Sequence, residues 1–131
     1  MSKSKTITAL ILKCGEYPEV TEIPNDLHTF QQIVGGYIET VSLDSRTDLI
    51  LNEEGKLTGL DPNRELDYKK LGYQVPEEYR YDIVMGDCLI VGVNNRTGNF
   101  TSLREAQIDH YSELFHDPST GYDRMFKVLF R

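Results

Sequence analysis

Cationic side chains beside predicted loops and helix ends are the residues of this chain that could do chemistry. Lys56 and Arg64 lie on predicted loops that flank one strand pair, while Arg96 and Arg104 flank a second hairpin and the last helix. Arg104 falls in the predicted first turn of that helix, where the helix dipole favours acidic residues. A cation beside free backbone N–H groups suits an anionic ligand. The pattern therefore indicates anion binding, although each position is also compatible with ordinary solvated surface.

No standard catalytic signature accompanies these cations. The sequence has no Gly-x-Gly-x-x-Gly pattern and no phosphate-loop lysine motif after a strand. Its three histidines lack the helical spacing with glutamate that zinc sites use. Cys14 and Cys88 stand alone in apolar runs, which is typical of buried small hydrophobic residues. We therefore expect no catalytic residue, no metal site and no cofactor, and the protein is predicted not to be an enzyme.

Length and composition indicate one globular domain spanning residues 1–131. Hydrophobic residues make up 39% of the chain and charged residues 27%, which is close to the globular average. No apolar run approaches the roughly 20 residues that span a bilayer. The apolar N-terminal segment is interrupted by Thr6, Thr8 and Lys13 and is not followed by a cleavage pattern, so we interpret it as a first strand. A cytoplasmic protein without membrane partners is predicted.

The net charge of −7 argues against a general binder of long nucleic acids, which needs a basic face. An acidic surface that imitates DNA would need a concentrated stripe of acids. The 21 acidic residues are instead spread along the chain, which favours solvated surface. A local basic pocket for a small anion remains compatible with this charge.

Hydrophobic periodicity predicts the elements of the first half. Strands are expected at 6–13 and 19–23, followed by a short helix that starts at Asn25 or Asp26 and ends at Gly35-Gly36. From Tyr37 the period changes to two, which predicts a β-meander with a tight connection at 53–56. The tetrapeptide Asp61-Pro62-Asn63-Arg64 is predicted to form a turn.

The second half begins with a polar, tyrosine-rich stretch at 67–81, predicted to be a loop with at most a short helix. Residues 82–93 carry a strong strand signal with a bulge or turn at Gly86, and 94–99 predicts a hairpin turn. Ser102 and Glu105 fit a capping box that starts a helix running to about residue 116. The apolar 117–131 tail is expected to be an edge strand or an oligomer contact. The predicted fold class is α+β, an antiparallel β-sheet of about five to seven strands with two helices.

Four segments carry a resemblance to a known family: VGGYIE at 34–39, NEEGKLTGLDPNREL at 52–66, GDCLIVG at 86–92 and FTSL at 100–103. In this order they resemble a family of small phage- and plasmid-encoded proteins catalogued as a domain of unknown function, over nearly the whole chain up to about residue 116. The chain is also similar to oligomeric phage sponges that sequester nucleotide immune signals, such as the cyclic ADP-ribose isomers of Thoeris or the cyclic oligonucleotides of CBASS.

That resemblance implies an anti-defence protein in the cytoplasm of an infected or lysogenic bacterial host. It would bind a signalling nucleotide without cleaving it, with arginines and helix N-termini on the phosphates and an aromatic ring on the base. The pocket would lie at the subunit interface of a homo-oligomer. The ligand-binding residues it implies are Asn63, Arg64, Asn99, Phe100 and Arg104.

Two other functions stay open at this point. One is an acidic protein that inhibits a host restriction or immune protein by binding it directly. The other is a nucleotide-cleaving enzyme that uses glutamate or histidine residues. Both differ from the sponge in what happens to the nucleotide, which is not bound in the first case and is broken down in the second.

Overall fold

The computed structural model describes residues 5–130 of the chain, which form eight strands and three α-helices. The strands are β1 (Thr6–Leu12), β2 (Glu19–Pro24), β3 (Ile38–Asp44), β4 (Thr47–Asn52), β5 (Pro62–Asp67), β6 (Tyr81–Met85), β7 (Cys88–Val93) and β8 (Phe100–Thr101). The helices are α1 (Leu27–Val34), α2 (Glu105–Leu114) and α3 (Thr120–Leu129), with a 3-10 turn at Glu77–Tyr79. The predicted α+β class with antiparallel sheets is confirmed.

The main sheet is antiparallel and has β7 at its centre. Its strand order is β2-β1-β7-β4-β3, and β8 also pairs with β7. Ile90 of β7 faces Leu10 of β1 on one side and Leu49 of β4 on the other. Beyond that point Val93 pairs with Phe100 of β8. The end of β7 therefore brings the β3–β4 turn and the β7–β8 hairpin to the same edge of the molecule.

The two faces of this sheet are covered by different layers, as the two-residue period of its strands requires. On one face Ile7, Ala9 and Ile11 of β1 pack with Phe30 and Val34 of α1. On the other face lie side chains of β1, β3, β4, β5, β6, β7 and α2 and of the loops beside α2. The buried ones are Leu10, Leu12, Leu43, Leu49, Leu66, Val84, Cys88, Ile90, Leu103, Tyr111 and Phe115. The small β5–β6 sheet and α2 thus cover the face opposite α1.

Helix α1 follows its predicted start and end. The Asp26 side chain accepts a hydrogen bond from the Thr29 N–H at 2.8 Å. Gly35 takes a φ of 78°, and its N–H donates to the Gln31 carbonyl. Only glycine adopts that φ without strain, so Gly35 ends the helix.

The turn predicted at 61–64 is wrong, because Pro62–Asp67 is strand β5 and pairs with β6. Proline is tolerated at the first position of a strand, where its missing N–H costs no ladder hydrogen bond. A register irregularity between Pro62 and Glu65 accommodates it. The buried Asn63 and Arg64 side chains mark this strand as interior to the fold.

The capping box predicted at Ser102 and Glu105 is displaced by two residues. Arg104 is the N-cap of α2, and its N–H donates to Gln107 Oε1 at 2.7 Å. Ser102 instead continues toward β1, where its Oγ accepts from the Thr8 N–H at 2.9 Å. The long-range contact with β1 therefore outweighs the local capping preference of Ser102.

The edge strand predicted for the tail is also wrong, because residues 120–129 form helix α3, a third helix beyond the two expected. Gly121, Met125 and Val128 fall at helical spacing on the side that faces β5 and β6. A short apolar run cannot be assigned to strand or helix from periodicity alone, which explains the difference. The alternative prediction, an oligomer contact, is taken up below.

Candidate functional site

Two adjoining clefts lie on either side of the β7–β8 hairpin. The first has a volume of about 430 Å³ and is polar; it is lined by Arg46, Val93, Asn94, Asn95, Arg96, Thr101, Ser102, Arg104 and Gln107. We call it the arginine cleft. The second is larger, about 800 Å³, and has an apolar floor. Asn94, Thr101 and Ser102 line both clefts, so one ligand could extend from one into the other.

Three separate elements contribute the cations of the arginine cleft. Arg46 lies in the β3–β4 turn, Arg96 at the tip of the β7–β8 hairpin, and Arg104 at the N-cap of α2. Gln107 joins two of these elements, because its Nε2 donates to the Arg46 carbonyl at 3.0 Å while its Oε1 accepts from the Arg104 N–H. The Arg46 carbonyl also accepts from the Val93 N–H at 2.8 Å. The backbone that carries Arg46 and Arg104 is thereby held in place.

The hairpin that carries Arg96 is fixed by an asparagine. Asn94 Oδ1 accepts from the N–H groups of Arg96 and Thr97 at 2.9 and 3.3 Å. Such a local side-chain acceptor stabilises a turn in the way a backbone carbonyl would. Gly98 supplies the positive φ of 77° that closes the loop. The guanidinium of Arg96 therefore projects from an ordered turn.

The arginines of residues 5–130 divide into two groups by their partners. Arg80 pairs with Asp67, Arg124 pairs with Glu65, and Arg64 is buried among carbonyl oxygens. The side chains of the other three, which are those of the arginine cleft, make no ion pair or hydrogen bond with any described residue. No acidic residue is among the described residues that line this cleft. It therefore concentrates unpaired positive charge in a protein of net charge −7.

Asp44 lies two residues before Arg46 in the chain, and its oxygens are used by donors of the protein. Oδ1 accepts from the Arg46 N–H at 2.7 Å, and Oδ2 accepts from the hydroxyls of Thr47 and Tyr111. Partial burial would raise the pKa of Asp44, but these hydrogen bonds outweigh it and hold the pKa below its ordinary value. Burial, together with the hydrogen bond to Asp44, raises the pKa of the Tyr111 hydroxyl.

The second cleft offers aromatic and aliphatic surface. Its floor includes Ile7, Phe30, Ile38 and Phe100. The rings of Phe30 and Phe100 meet edge to face, with centroids 5.5 Å apart, and the Asn25 side chain donates to the Phe100 carbonyl at 3.0 Å. Phe100 is therefore held in a fixed orientation. We call this the aromatic cleft.

The structure divides the five predicted ligand-binding residues into two sets. Asn99 and Phe100 line the aromatic cleft, and Arg104 lines the arginine cleft. Asn63 and Arg64 line neither, and both side chains have no solvent exposure. The prediction that Asn63 and Arg64 share one binding site with residues 99–104 is therefore wrong.

The buried Arg64 side chain instead connects several elements of the protein through hydrogen bonds. Its Nε donates to the Phe115 carbonyl at 2.8 Å and its Nη2 to the Glu16 carbonyl at 2.7 Å. Its Nη1 donates to Asn63 Oδ1 at 2.7 Å and reaches the Lys13 carbonyl at 3.5 Å. Burial lowers the pKa of this guanidinium, which nevertheless stays protonated because arginine titrates far above neutral pH. Arg64 thus joins β5 to the end of α2 and to the β1–β2 loop.

Asn63 completes this internal network. Its Nδ2 donates to the Leu12 and Gly86 carbonyls at 2.8 and 2.9 Å. Donors that are already used by protein acceptors are not available to a ligand. The structural evidence therefore assigns Asn63 to the connection between β5, β1 and the β6–β7 turn.

Arg46 and Gln107 belong to the arginine cleft but were not selected from the sequence. Arg46 lies about 50 residues before Arg96 in the chain, and only the β4–β7 pairing brings the two turns together. Gln107 at N3 of the helix carried a detectable signal, because a glutamine there often accepts from the N-cap N–H. Arg96 was recognised as a cation beside the hairpin, without being assigned to a site.

No helix within residues 5–130 is long and apolar enough to cross a membrane. The same residues contain no group of three or more His, Cys, Asp or Glu side chains arranged to hold a metal ion.

Comparison with known proteins places the chain in a family. Residues 7–116 match the model of a family described as Domain of unknown function (DUF3846). No curated protein and no solved structure matches the chain. The matched region contains the whole arginine cleft and all of the aromatic cleft except Lys5 and Thr6. It ends just after α2, where the resemblance in the sequence also ended, so α3 lies outside it. The chain therefore belongs to the DUF3846 family.

Proposed function

We propose that this protein binds a small phosphorylated nucleotide in the two adjoining clefts and does not cleave it. The observation that carries the proposal is the convergence of three unpaired arginines from three elements on one cleft without acidic lining. Isolated surface cations are common, but arginines gathered away from carboxylates typically bind a polyanion such as phosphate. The aromatic cleft beside them supplies a surface for a base.

The dimensions of the clefts fit such a ligand. Volumes of about 430 and 800 Å³ fall within the range of ordinary small-molecule sites. Phosphates would lie against Arg46, Arg96 and Arg104, whose guanidinium groups donate in a planar fork. The base would lie over Phe100, with the Asn99 side chain within reach of its polar edge. Asn94, Thr101 and Ser102 form the boundary that a sugar would cross.

Sequestration of a host immune signal is the biological role we propose for this binding. It is supported by the resemblance of the four sequence segments to a phage- and plasmid-encoded family and by the absence from the chain's motifs of a recognisable nucleophile and base. The ligand would be a cyclic ADP-ribose-type or cyclic oligonucleotide signal, and the setting would be the cytoplasm of a bacterial host. Retention of an intact ligand distinguishes this role from a nucleotide-cleaving enzyme.

A thermal-shift screen tests the binding step. We expect stabilisation by cyclic ADP-ribose or a cyclic dinucleotide, amounting to about 2.7 kcal/mol at a ligand concentration of 100 times Kd. Arg104→Ala should weaken binding roughly 10- to 100-fold, because one charge-assisted hydrogen bond contributes about 1.5–3 kcal/mol. Its own melting temperature should hardly change, since Arg104 is exposed and its side chain has no described partner.

Lys70→Ala is the matched control, because it removes one positive charge from an exposed position outside both clefts. It should bind like the unmodified protein. A screen in which no nucleotide stabilises the protein would contradict the proposal and leave direct protein inhibition as the alternative. Ligand released by heat and identified by mass spectrometry should be intact, whereas a cleaved product would indicate an enzyme.

A further inference from the structure

Helix α3 presents two different faces. Its inner face packs on β5, where Gly121 lies so close to the Asn63 backbone that a Cβ there would approach it to 2.8 Å. Arg124 Nε donates to Glu65 Oε2 at 2.6 Å and stacks over the Tyr81 ring at 3.6 Å. The helix is therefore held firmly, and its outer face has a defined orientation.

The outer face of α3 is apolar and exposed. Tyr122, Phe126, Leu129 and Phe130 are each between 51% and 68% exposed. Their spacing of four, three and one residues places them on one side of the helix. The rings of Phe126 and Phe130 contact each other with centroids 4.5 Å apart, which makes the surface continuous. We call these four residues the outer stripe.

The area of the outer stripe is large enough for a weak specific interface. A whole aromatic side chain buries about 150–250 Å², so the three exposed rings leave roughly 350 Å² uncovered and Leu129 adds to it. Two such stripes in contact would remove about 1,000 Å² from water, which is near the lower limit of specific protein–protein interfaces. A stripe of this size therefore suits a partner that offers an equal apolar face.

The charged residues beside the outer stripe can form pairs of opposite charge with those of a second copy of the chain. Asp123 and Lys127 lie one turn apart along the same edge of the stripe, and both are exposed. In an antiparallel pair of α3 helices related by a two-fold axis near Phe126, Asp123 of each copy faces Lys127 of the other. A two-fold interface requires this kind of self-complementarity. In two parallel helices in register, the two-fold axis runs along the helices and places the charged edges of the two copies on opposite sides of the interface, where Asp123 and Lys127 do not meet.

We propose that the outer stripe binds the outer stripe of a second copy, forming a two-fold dimer through antiparallel α3 helices. The inference is independent of nucleotide binding, because α3 contributes no residue to either cleft. It adds an assembly surface outside the DUF3846 region, which ends at residue 116. Because the stripe is small for a specific interface, we expect a weak and reversible dimer.

Sedimentation equilibrium between 1 and 500 µM tests this assembly. The protein should convert from monomer to dimer over that range. Phe126→Asp should raise the dimer dissociation constant about tenfold or more, because it buries a carboxylate at the centre of the interface. Leu27→Asp is the matched control: Leu27 is 54% exposed at the start of α1, on the face of the main sheet opposite the β5–β6 sheet that carries α3, and should leave the dimer unchanged.

Charge reversal tests the antiparallel geometry. Asp123→Lys and Lys127→Asp should each weaken the dimer, and the double variant should restore it because opposite charges again face each other. Circular dichroism should show equal helix content in all variants. A protein that stays monomeric at 500 µM would overturn the proposal and leave the stripe to a different partner, and a dimer that tolerates Phe126→Asp would overturn it as well.

Discussion

Arg64 shows how a residue chosen for its charge can serve the fold. Arginine, asparagine and an aromatic ring are the residue types that recognise nucleotides, so Asn63-Arg64 is a reasonable candidate from sequence. In the structure, both side chains are fully buried and their donors are used by protein carbonyls. A buried guanidinium without a carboxylate partner is tolerated because several carbonyl dipoles replace its hydration. Burial, which no sequence pattern at 61–64 indicated, separates this arginine from Arg104.

Arg64→Ala should therefore destabilise the protein instead of only abolishing ligand binding. The change leaves the Phe115 and Glu16 carbonyls without their donor and opens a cavity, at a cost of roughly 2–5 kcal/mol. Urea denaturation of the variant measures this directly. Arg96→Ala, at an exposed position, is the control and should unfold at nearly the same urea concentration as the unmodified protein. Equal stability of the two variants would contradict the internal role of Arg64.

The connection between β5 and β6 is held closed at its base by one residue, Asp67. The stretch 67–81 is predicted to be a loop with at most a short helix. Its end residues Asp67 and Tyr81 belong to β5 and β6, and the 3-10 turn Glu77–Tyr79 lies between them. Asp67 at the start of this stretch accepts from Arg80 Nε and Nη2 at its end, at 2.9 and 3.0 Å, and from the Lys69 N–H. This closes the loop across its base, so the length of the excursion does not disturb the β5–β6 pairing.

Acid should weaken this closure. The hydrogen bonds from Arg80 lower the pKa of Asp67 below its ordinary value. A carboxyl group whose pKa is lower in the folded state stabilises the protein above its unfolded pKa of about 3.9, and that contribution is lost as the pH falls through the folded value. The free energy of unfolding should therefore hold from pH 7 to about 5 and decrease below pH 4. Asp67→Asn should lower stability at pH 7 and reduce the additional loss in acid.

Urea titrations at pH 7, 5, 4 and 3 would measure this dependence. Glu78→Gln is the control, since Glu78 is exposed in the same loop and makes no ion pair with a described residue. It should follow the pH profile of the unmodified protein. An Asp67→Asn profile that is parallel to the unmodified one would show that the Asp67–Arg80 contact does not contribute.

At the scale of the whole molecule, the sequence predicted the elements whose formation depends on residues close together in the chain. The strands β1, β2 and β7, the helix α1 with its caps, and the 94–99 hairpin follow from periodicity and turn chemistry, and all are present. The helix α3 was missed because its apolar residues form a run that suits a strand equally well. The arginine cleft was found only in part because Arg46 reaches it through the pairing of β4 with β7.

The central claim is that the arginine cleft and the aromatic cleft together hold one nucleotide. An amide NMR titration of isotopically labelled protein with cyclic ADP-ribose and with a cyclic dinucleotide tests it most directly. We predict saturable shift changes for one of them, concentrated at residues 46, 94–104 and 107, at the edge of the main sheet that carries both clefts. Inorganic phosphate should perturb the arginine cleft alone. The absence of saturable changes, or changes centred on any other surface, would contradict the claim.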